Sequence, residues 1–238
     1  MPLLRHIDRE RGKVRSVRAA LHSTVAAFLA KLRIHVVDHI RSASPKVAKA
    51  SARDGDDPTK AADWSALEDA VQPKLEEMAQ DGGAEALRQV DSEVEALLAQ
   101  VNERAVAWSK SYSARLVTAI QESTRDAVRD LVAAGLEAGK TNDEIADEVA
   151  DSYWFGDSRA LTIARTETAQ ADTQGNVLGW KASGVVAGKE WLTSDDPCEE
   201  CAALSGEVAA LDEEFDGGDP PLHPRCECVL LPVLAEED

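Results

Sequence analysis

Apolar residues recur at three- and four-residue steps over residues 9–42: Val14, Val17, Leu21, Val25, Phe28, Leu29, Leu32 and Val36. One stripe at that period predicts a single long helix. Pro45, Gly55, Pro58 and the Asp54-Gly-Asp-Asp57 cluster predict an irregular, flexible connector over Ser42–Lys60. Helical character resumes near Trp64, and Gly82-Gly83 is predicted to break it. From Ala84 to about Ala138 the pattern is helical again, without proline. Leu87, Val90, Val94, Leu97, Leu98, Val101, Ala105 and Trp108 form one apolar stripe, extended by Leu116, Ile120, Val128, Leu131 and Leu136. Such a stripe predicts core packing or a coiled-coil seam. At ~1.5 Å rise per residue a helix of about 50 residues spans roughly 75 Å, so the first half is expected to be helical and elongated.

The period changes further on. Gly139-Lys140-Thr141 ends the long helix, and Thr141 with Glu144 three residues on reads as a capping box. Ile145, Val149 and Tyr153 would form the buried face of the next, short helix. Asp157 or Ser158 can cap a helix over about Arg159–Ala182, closed by Gly184. Val185–Leu192, Gly206–Leu211 and Cys226–Leu234 read as strands. The expected fold is mainly α, with a small C-terminal α+β lobe and an elongated helical N-terminal half.

Charge divides the chain unevenly. Its 238 residues carry a net charge of −18. Residues 1–60 hold 13 Lys/Arg against 6 Asp/Glu, and the remainder 13 against 38. The acidic body argues against general coating of nucleic acid, and the basic N-terminal segment, Arg5 to Arg18, is the candidate for meeting DNA or an acidic protein surface. The competing reading of that segment is a solvated helix face. No apolar run in the sequence suggests a membrane span, and no secretory signal is evident. A protein made in the cytoplasm, with no membrane partner, is expected.

All four cysteines lie in the last quarter, as Cys198-Glu-Glu-Cys201 and His223-Pro-Arg-Cys226-Glu-Cys228. C-x2-C followed by H-x2-C-x-C suggests a tetrahedral thiolate/imidazole site, with zinc the expected ion. Five candidates compete for four positions. Cys198, Cys201, His223 and Cys226 are the favoured set, with Cys228 as substitute. If the segment is a strand, Cys226 and Cys228 share a face; if it is a knuckle, His223 pairs with Cys226. Two disulfides or free thiols are the competing readings. A closed set of four ligands is structural rather than catalytic, and stabilises a lobe too small to hold by packing alone. His35 and His39 are four apart but lack acidic partners, and with His6 and His22 read as surface or core residues. No P-loop, G-x-S-x-G or Cys-His catalytic pattern is present.

An ordered set of short motifs then accumulates: Ile163-Ala-Arg165-Thr166-Glu167-Thr168-Ala169, Asn176, Trp180-Lys-Ala-Ser-Gly184, Lys189-Glu-Trp191-Leu-Thr193, Asp195, the first cysteine pair, Leu204-Ser-Gly206, and Pro221-Leu-His223-Pro-Arg-Cys226-Glu-Cys228. Over about residues 140–238 this resembles the phage Mu F-like family of head morphogenesis proteins, also called minor head or minor capsid proteins. The family's closing motif is His-Pro-x-Cys-Arg-Cys; here Glu227 replaces the arginine, removing a positive charge and leaving the ligands intact. The resemblance implies a virion component inside the phage head near the portal, partnered with the portal protein, the major capsid protein or both, and acting in head assembly or genome packaging and delivery. The implied organisation is a basic helical segment and hinge over 1–60, a long-helix region over 61–140, and a Mu F-like domain over 141–238.

The chemistry inside these motifs is read as structural. Arg165 and Glu167 are two apart in a helix and point to different sides. Arg165, Glu167, Thr168 and Asp195 are therefore expected to anchor the helix to the lobe, Arg165 through Asp195 or Asp196. The expected protein is not an enzyme. The alternatives are a packaged protein contacting DNA through its basic N-terminus, or an enzyme or toxin carrier on the same domain. The chain stops ten residues after Cys228, which disfavours a carrier with a following domain.

Overall fold

The structure, a computed structural model, describes residues 2–43, 57–90 and 93–235, with side chains from residue 12 onward. Among the described residues, five long or medium helices precede a small sheet. They are α1 (Pro2–Ser42), α2 (Trp64–Gln89), α3 (Val94–Glu137), α4 (Asn142–Ala150) and α5 (Asp157–Ser183). Strand β1 (Val186–Leu192), the short helix α6 (Glu199–Ala203), β2 (Val208–Ala210) and β3 (Val229–Leu234) follow. Among the described residues no strand precedes Val186.

The α1 stripe is core. Val17, Leu21, Val25, Leu29, Leu32 and Val36 are buried, while Lys31, Arg33 and His35 between them face solvent. Contrary to the sequence reading, one stretch, Gly12–Ser42, is long and apolar enough by composition to cross a membrane. The buried stripe and exposed charges identify it as an amphipathic core helix. Phe28, half-buried, packs at a tilt against Trp64, with ring centres 4.7 Å apart and planes at 56°.

Residues 44–56, most of the expected connector, lie outside the described residues, as do the side chains of Arg5, His6, Arg9 and Arg11 in the basic segment. The connector's far end is ordered by its own chemistry. Asp57 caps a 3-10 turn over Pro58–Ala61, its carboxylate accepting from the Thr59 backbone N–H (2.9 Å) and Oγ1 (2.6 Å). Trp64 Nε1 donates to the Thr59 carbonyl at 3.0 Å.

Gly82-Gly83 does not break a helix, a correction to the sequence reading. Both lie inside α2, and the interruption comes only after Gln89. The reason is close packing with α5. A Cβ on Gly82 would lie 2.7 Å from the Asp172 carbonyl oxygen, one on Gly175 would lie 2.9 Å from the Gly83 nitrogen, and one on Gly179 would lie 2.7 Å from Ala86 Cβ. Absent side chains let two backbones meet, and that contact outweighs the helix-weakening tendency of glycine. Ala79, Leu87, Val101, Ala105 and Leu178 form the buried cluster beside this crossing.

The α3 stripe continues through polar residues. Ser109, Ser113 and Thr124 are fully buried at helical spacing between Ala105, Val117, Ile120 and Val128. Ser109 Oγ donates to the Val106 carbonyl (2.9 Å) and Thr124 Oγ1 to the Ile120 carbonyl (2.5 Å), so neither hydroxyl is stranded. Arg159 on α5 is also buried. It donates to Thr124 Oγ1 and the Trp154 carbonyl (both 2.8 Å) and to Ser123 Oγ (2.9 Å), and its guanidinium lies 4.7 Å from the Trp154 ring centre.

Gly139, with φ +73°, closes α3, and the reciprocal Thr141–Glu144 capping box opens α4. Ile145 and Val149 are buried as expected. Tyr153 is not: it is exposed in a 3-10 turn, and Phe155 supplies the buried ring instead.

The sheet is antiparallel in the order β2-β1-β3, with Glu190 opposite both Val208 and Leu231. Beneath it lie Trp180, Trp191, Phe215, Leu204 and Leu230, packed together with Cys201, Cys226 and Cys228. By proximity of the backbone, Met1–Ala20, Gln72–Ser111 and Thr162–Asp238 make one compact unit, and Leu21–Val71 with Tyr112–Leu161 another.

Candidate metal centre

The two cysteine motifs occupy the two connections of the sheet. Cys198 and Cys201 open α6, between β1 and β2; His223, Cys226 and Cys228 lie between β2 and β3. Backbone bonds close the first connection: Trp191 N–H donates to the Glu207 carbonyl, and Gly206 N–H to the Trp191 carbonyl, both at 2.9 Å. The second is tied by Lys189. Its ammonium, buried on β1, contacts both Asp219 oxygens at 2.7 and 2.6 Å and lies 5.7 Å from the Phe215 ring centre.

The strand expected from Cys226 begins only at Val229. Cys226 and Cys228 therefore do not share a strand face. The segment is the alternative, a knuckle: Cys226 N–H donates to the His223 carbonyl at 3.1 Å, and Arg225 sits at φ +65°. A residue other than glycine in that conformation is held by its surroundings. Here Arg225 N–H donates to Thr166 Oγ1 (3.2 Å) and its Nε to Thr162 Oγ1 (3.0 Å), one turn apart on α5. Thr162 and Thr166 thus seat the knuckle, a role no spacing rule on the sequence indicated.

All five candidate donors meet. His223 Nε2 lies 3.3 Å from Cys198 Sγ and 3.4 Å from Cys201 Sγ, and Cys201 Sγ lies 3.7 Å from Cys226 Sγ. Two triads could each hold an ion, Cys198–Cys201–His223 and Cys201–Cys226–Cys228, with Cys201 common to both. With Zn–S near 2.3 Å and Zn–N near 2.0 Å, the edges of a tetrahedron come to about 3.5–3.8 Å, close to these separations. The cysteines are free thiols, not disulfides. Cys201, Cys226 and Cys228 are buried; Cys198 is exposed.

Electrostatics agree with a ligand set. The Cys201 N–H directed at its sulfur holds the Cys198 thiol below its ordinary range, helped by the charge of His223. Burial works against ionisation at Cys226, but hydrogen bonds from the backbone of Cys228 and Leu222 outweigh it and the net shift is downward. Burial first, then neighbouring thiols, pushes Cys201 far up, which is the state a metal would reverse. His223 is raised, chiefly by its contact with the Pro224 carbonyl, 3.0 Å from Nδ1. That contact places the ring proton on Nδ1 and leaves Nε2 as the ligating atom. The donor set therefore fits zinc, which would act here as a cross-link between the two connections.

Of the remaining expected residues, Arg165 and Asp195 are exposed, whereas Glu167 and Thr168 are buried in α5, Thr168 Oγ1 donating to the Ala164 carbonyl at 2.5 Å. The opposite facing of Arg165 and Glu167 follows. The expected pairing does not: among the described residues Arg165 makes no ion pair with Asp195 or Asp196. Of the histidines outside the cluster, His22 meets Asp157 at 2.8 Å and His35 is exposed.

Residues 126–231 match the family described as Phage Mu protein F like protein. The match runs from within α3, through α4 and α5, to β3. No curated protein and no solved structure matches the chain.

Proposed function

We propose, from the match of residues 126–231 to the Mu F-like phage protein family, that this chain is a minor head protein of a tailed phage. It associates with the portal, the capsid interior or both, and acts in head assembly or in genome packaging and delivery. It works by binding rather than catalysis. The observation that carries this reading is the donor count of the Cys/His cluster: five thiol and imidazole donors converge, and three of them are packed into the core of the lobe with Trp180, Trp191 and Phe215. A catalytic zinc keeps a position open for water or substrate; a cluster with protein donors enough for all four positions suits a structural ion. We assign zinc to Cys198, Cys201, His223 and Cys226, with Cys228 as the alternate. The ion would supply charge neutralisation and cross-linking, and no reaction step.

Incorporation into heads tests the proposal. Copies per particle would be counted for the wild type, for a chain lacking residues 1–60, and for Glu167→Ala. An adaptor predicts loss of incorporation on the deletion and normal DNA delivery with Glu167→Ala. A Glu167→Ala chain that assembles normally but loses a nucleotide- or nucleic-acid-cleaving activity supports an enzyme instead.

A further inference from the structure

An antiparallel sheet with one buried face ordinarily turns polar side chains outward on the other. This sheet does not. Trp191 and Leu230 face the core, so their chain neighbours on β1 and β3 point away from it. The register sets Val208, Glu190 and Leu231 in one row across the three strands, and Leu192 opposite Val229 in the next. Four of these five are large and apolar, from 41% exposed at Leu231 to 56% at Val208. Of the eight large apolar side chains exposed among the described residues, six lie on or beside this sheet. The exposure is therefore a patch rather than scatter, and such patches mark interaction surfaces.

The charge around the patch selects its occupant. Residues 186–238 hold 15 Asp/Glu against two Lys/Arg. Both cations are committed: Lys189 is buried on Asp219, and Arg225 donates to Thr162 on α5. Glu190 stands in the middle of its row, between Val208 and Leu231, and among the described residues it forms no ion pair. A second copy laid face to face would set Glu190 against Glu190 and one acidic rim against another, which disfavours a dimer through this face. The complement is an apolar surface with a cationic rim. Its shape follows from the sheet. Two strand spacings of about 4.8 Å make a strip about 10 Å wide, which is the diameter of one helix, and a helix laid on the apolar face of a sheet is a common layer of mixed domains.

We propose that the outer face of the β2-β1-β3 sheet is the docking surface for a basic amphipathic helix of a partner protein. The apolar stripe of that helix covers Val208, Leu231, Leu192 and Val229, and a lysine or arginine beside the stripe pairs with Glu190. Apolar burial supplies affinity, and the acidic rim speeds encounter and selects the sign of the partner. The proposal rests on the reading of the chain as a binding component, and adds to it the surface used and the chemistry of the partner.

The test uses the full chain and a fluorescent helix-forming peptide of about 18 residues, built of leucine and lysine with the leucines on one face. Its counterpart replaces every lysine by glutamate. Binding is followed by anisotropy at about 150 mM salt, where attraction between distant surface charges is screened. The variant is Val229→Thr with Leu231→Thr, which keeps every charge and places strand-favouring residues at exposed positions. Glu190→Lys, which leaves the apolar rows intact, is the second variant should the first not fold. Ile34→Thr, an exposed apolar residue in the other unit, is the control. Expected is binding of the lysine peptide, a loss of about tenfold or more in the threonine variant, a weaker lysine peptide and a stronger glutamate peptide with Glu190→Lys, and no change in the control. Equal binding of the lysine peptide by the threonine variant and the wild type shows attraction by net charge alone and overturns the proposal. So does a glutamate peptide that binds the wild type as well as the lysine one, or a lysine peptide that does not bind. A wild-type dimer that Val229→Thr with Leu231→Thr turns into a monomer also overturns it, and gives the face to a second copy. No phage head takes part in this measurement, so its failure is distinct from a failure of incorporation.

Discussion

Replacing Gly179 by alanine should destabilise the protein although it lengthens a helix-favouring sequence. The new methyl would overlap the Gly83 carbonyl oxygen and lie 2.7 Å from Ala86 Cβ. Carbon atoms rest at roughly 3.5–4.0 Å, so α2 and α5 must part by about 1 Å. Both obstacles are a backbone atom and the Cβ of a buried residue, so no side chain can swing away. A gap of ~0.5–1 Å forfeits a quarter to a half of each dispersion contact, and overpacking costs about 1–3 kcal/mol. The helix preference for alanine over glycine returns at most about 1 kcal/mol. The net expectation is a loss of about 2 kcal/mol, read as a lower urea midpoint by fluorescence of the buried Trp180 and Trp191. Gly12→Ala is the internal standard. It lies in α1 with nothing within 4 Å of the added carbon, so it should stabilise by up to about 1 kcal/mol. If Gly179→Ala is neutral or stabilising like Gly12→Ala, the close crossing of α2 and α5 is wrong.

Cys201→Ser removes the donor shared by both triads and leaves a hydroxyl in an apolar cluster, a burial penalty of about 1–3 kcal/mol on top of the lost metal; bound zinc should fall and the region after Gly184 become protease-sensitive while helical dichroism persists. Arg159→Lys keeps the charge but cannot reproduce the fork to Thr124, Ser123 and Trp154; a loss of about 2–3 kcal/mol in chemical unfolding is expected. The Asp172 carboxyl is raised to about 6 by burial, with Asp81 and Glu85 adding to it. Its folded pKa exceeds its unfolded one, so the native state holds this proton more tightly; its contribution to stability is present below about pH 4 and is lost as pH rises toward 6. Asp172→Asn should therefore raise the thermal midpoint at pH 8, by an amount equivalent to about 1–2 kcal/mol after allowance for residual solvent exposure, and leave it unchanged near pH 4.

Local signals in the sequence carried far where local physics decides. The capping box at Thr141, the left-handed glycine after α5 and the α1 stripe each follow from a few neighbouring residues, and each is present. The cysteine spacing likewise indicated five donors, and the fold brings all five together. What escaped depends on partners distant in sequence. Gly82-Gly83 looks like a breaker until Gly175 and Gly179 are placed opposite. Ser109, Ser113 and Thr124 look like surface residues because patterning counts a hydroxyl as polar, whereas two of these hydroxyls bond to their own helix. Thr162 and Thr166 have no signature at all, since their role exists only once the knuckle rests on α5.

The most direct measurement is the metal content of the purified, reduced chain by elemental analysis, paired with chelation followed by near-ultraviolet dichroism. One zinc per chain, released by chelator with loss of the aromatic signal around Trp191 and Phe215, is the predicted result. A lobe that is metal-free and fully folded, or one whose Cys201 and Cys226 are joined by a disulfide under reducing conditions, would contradict it.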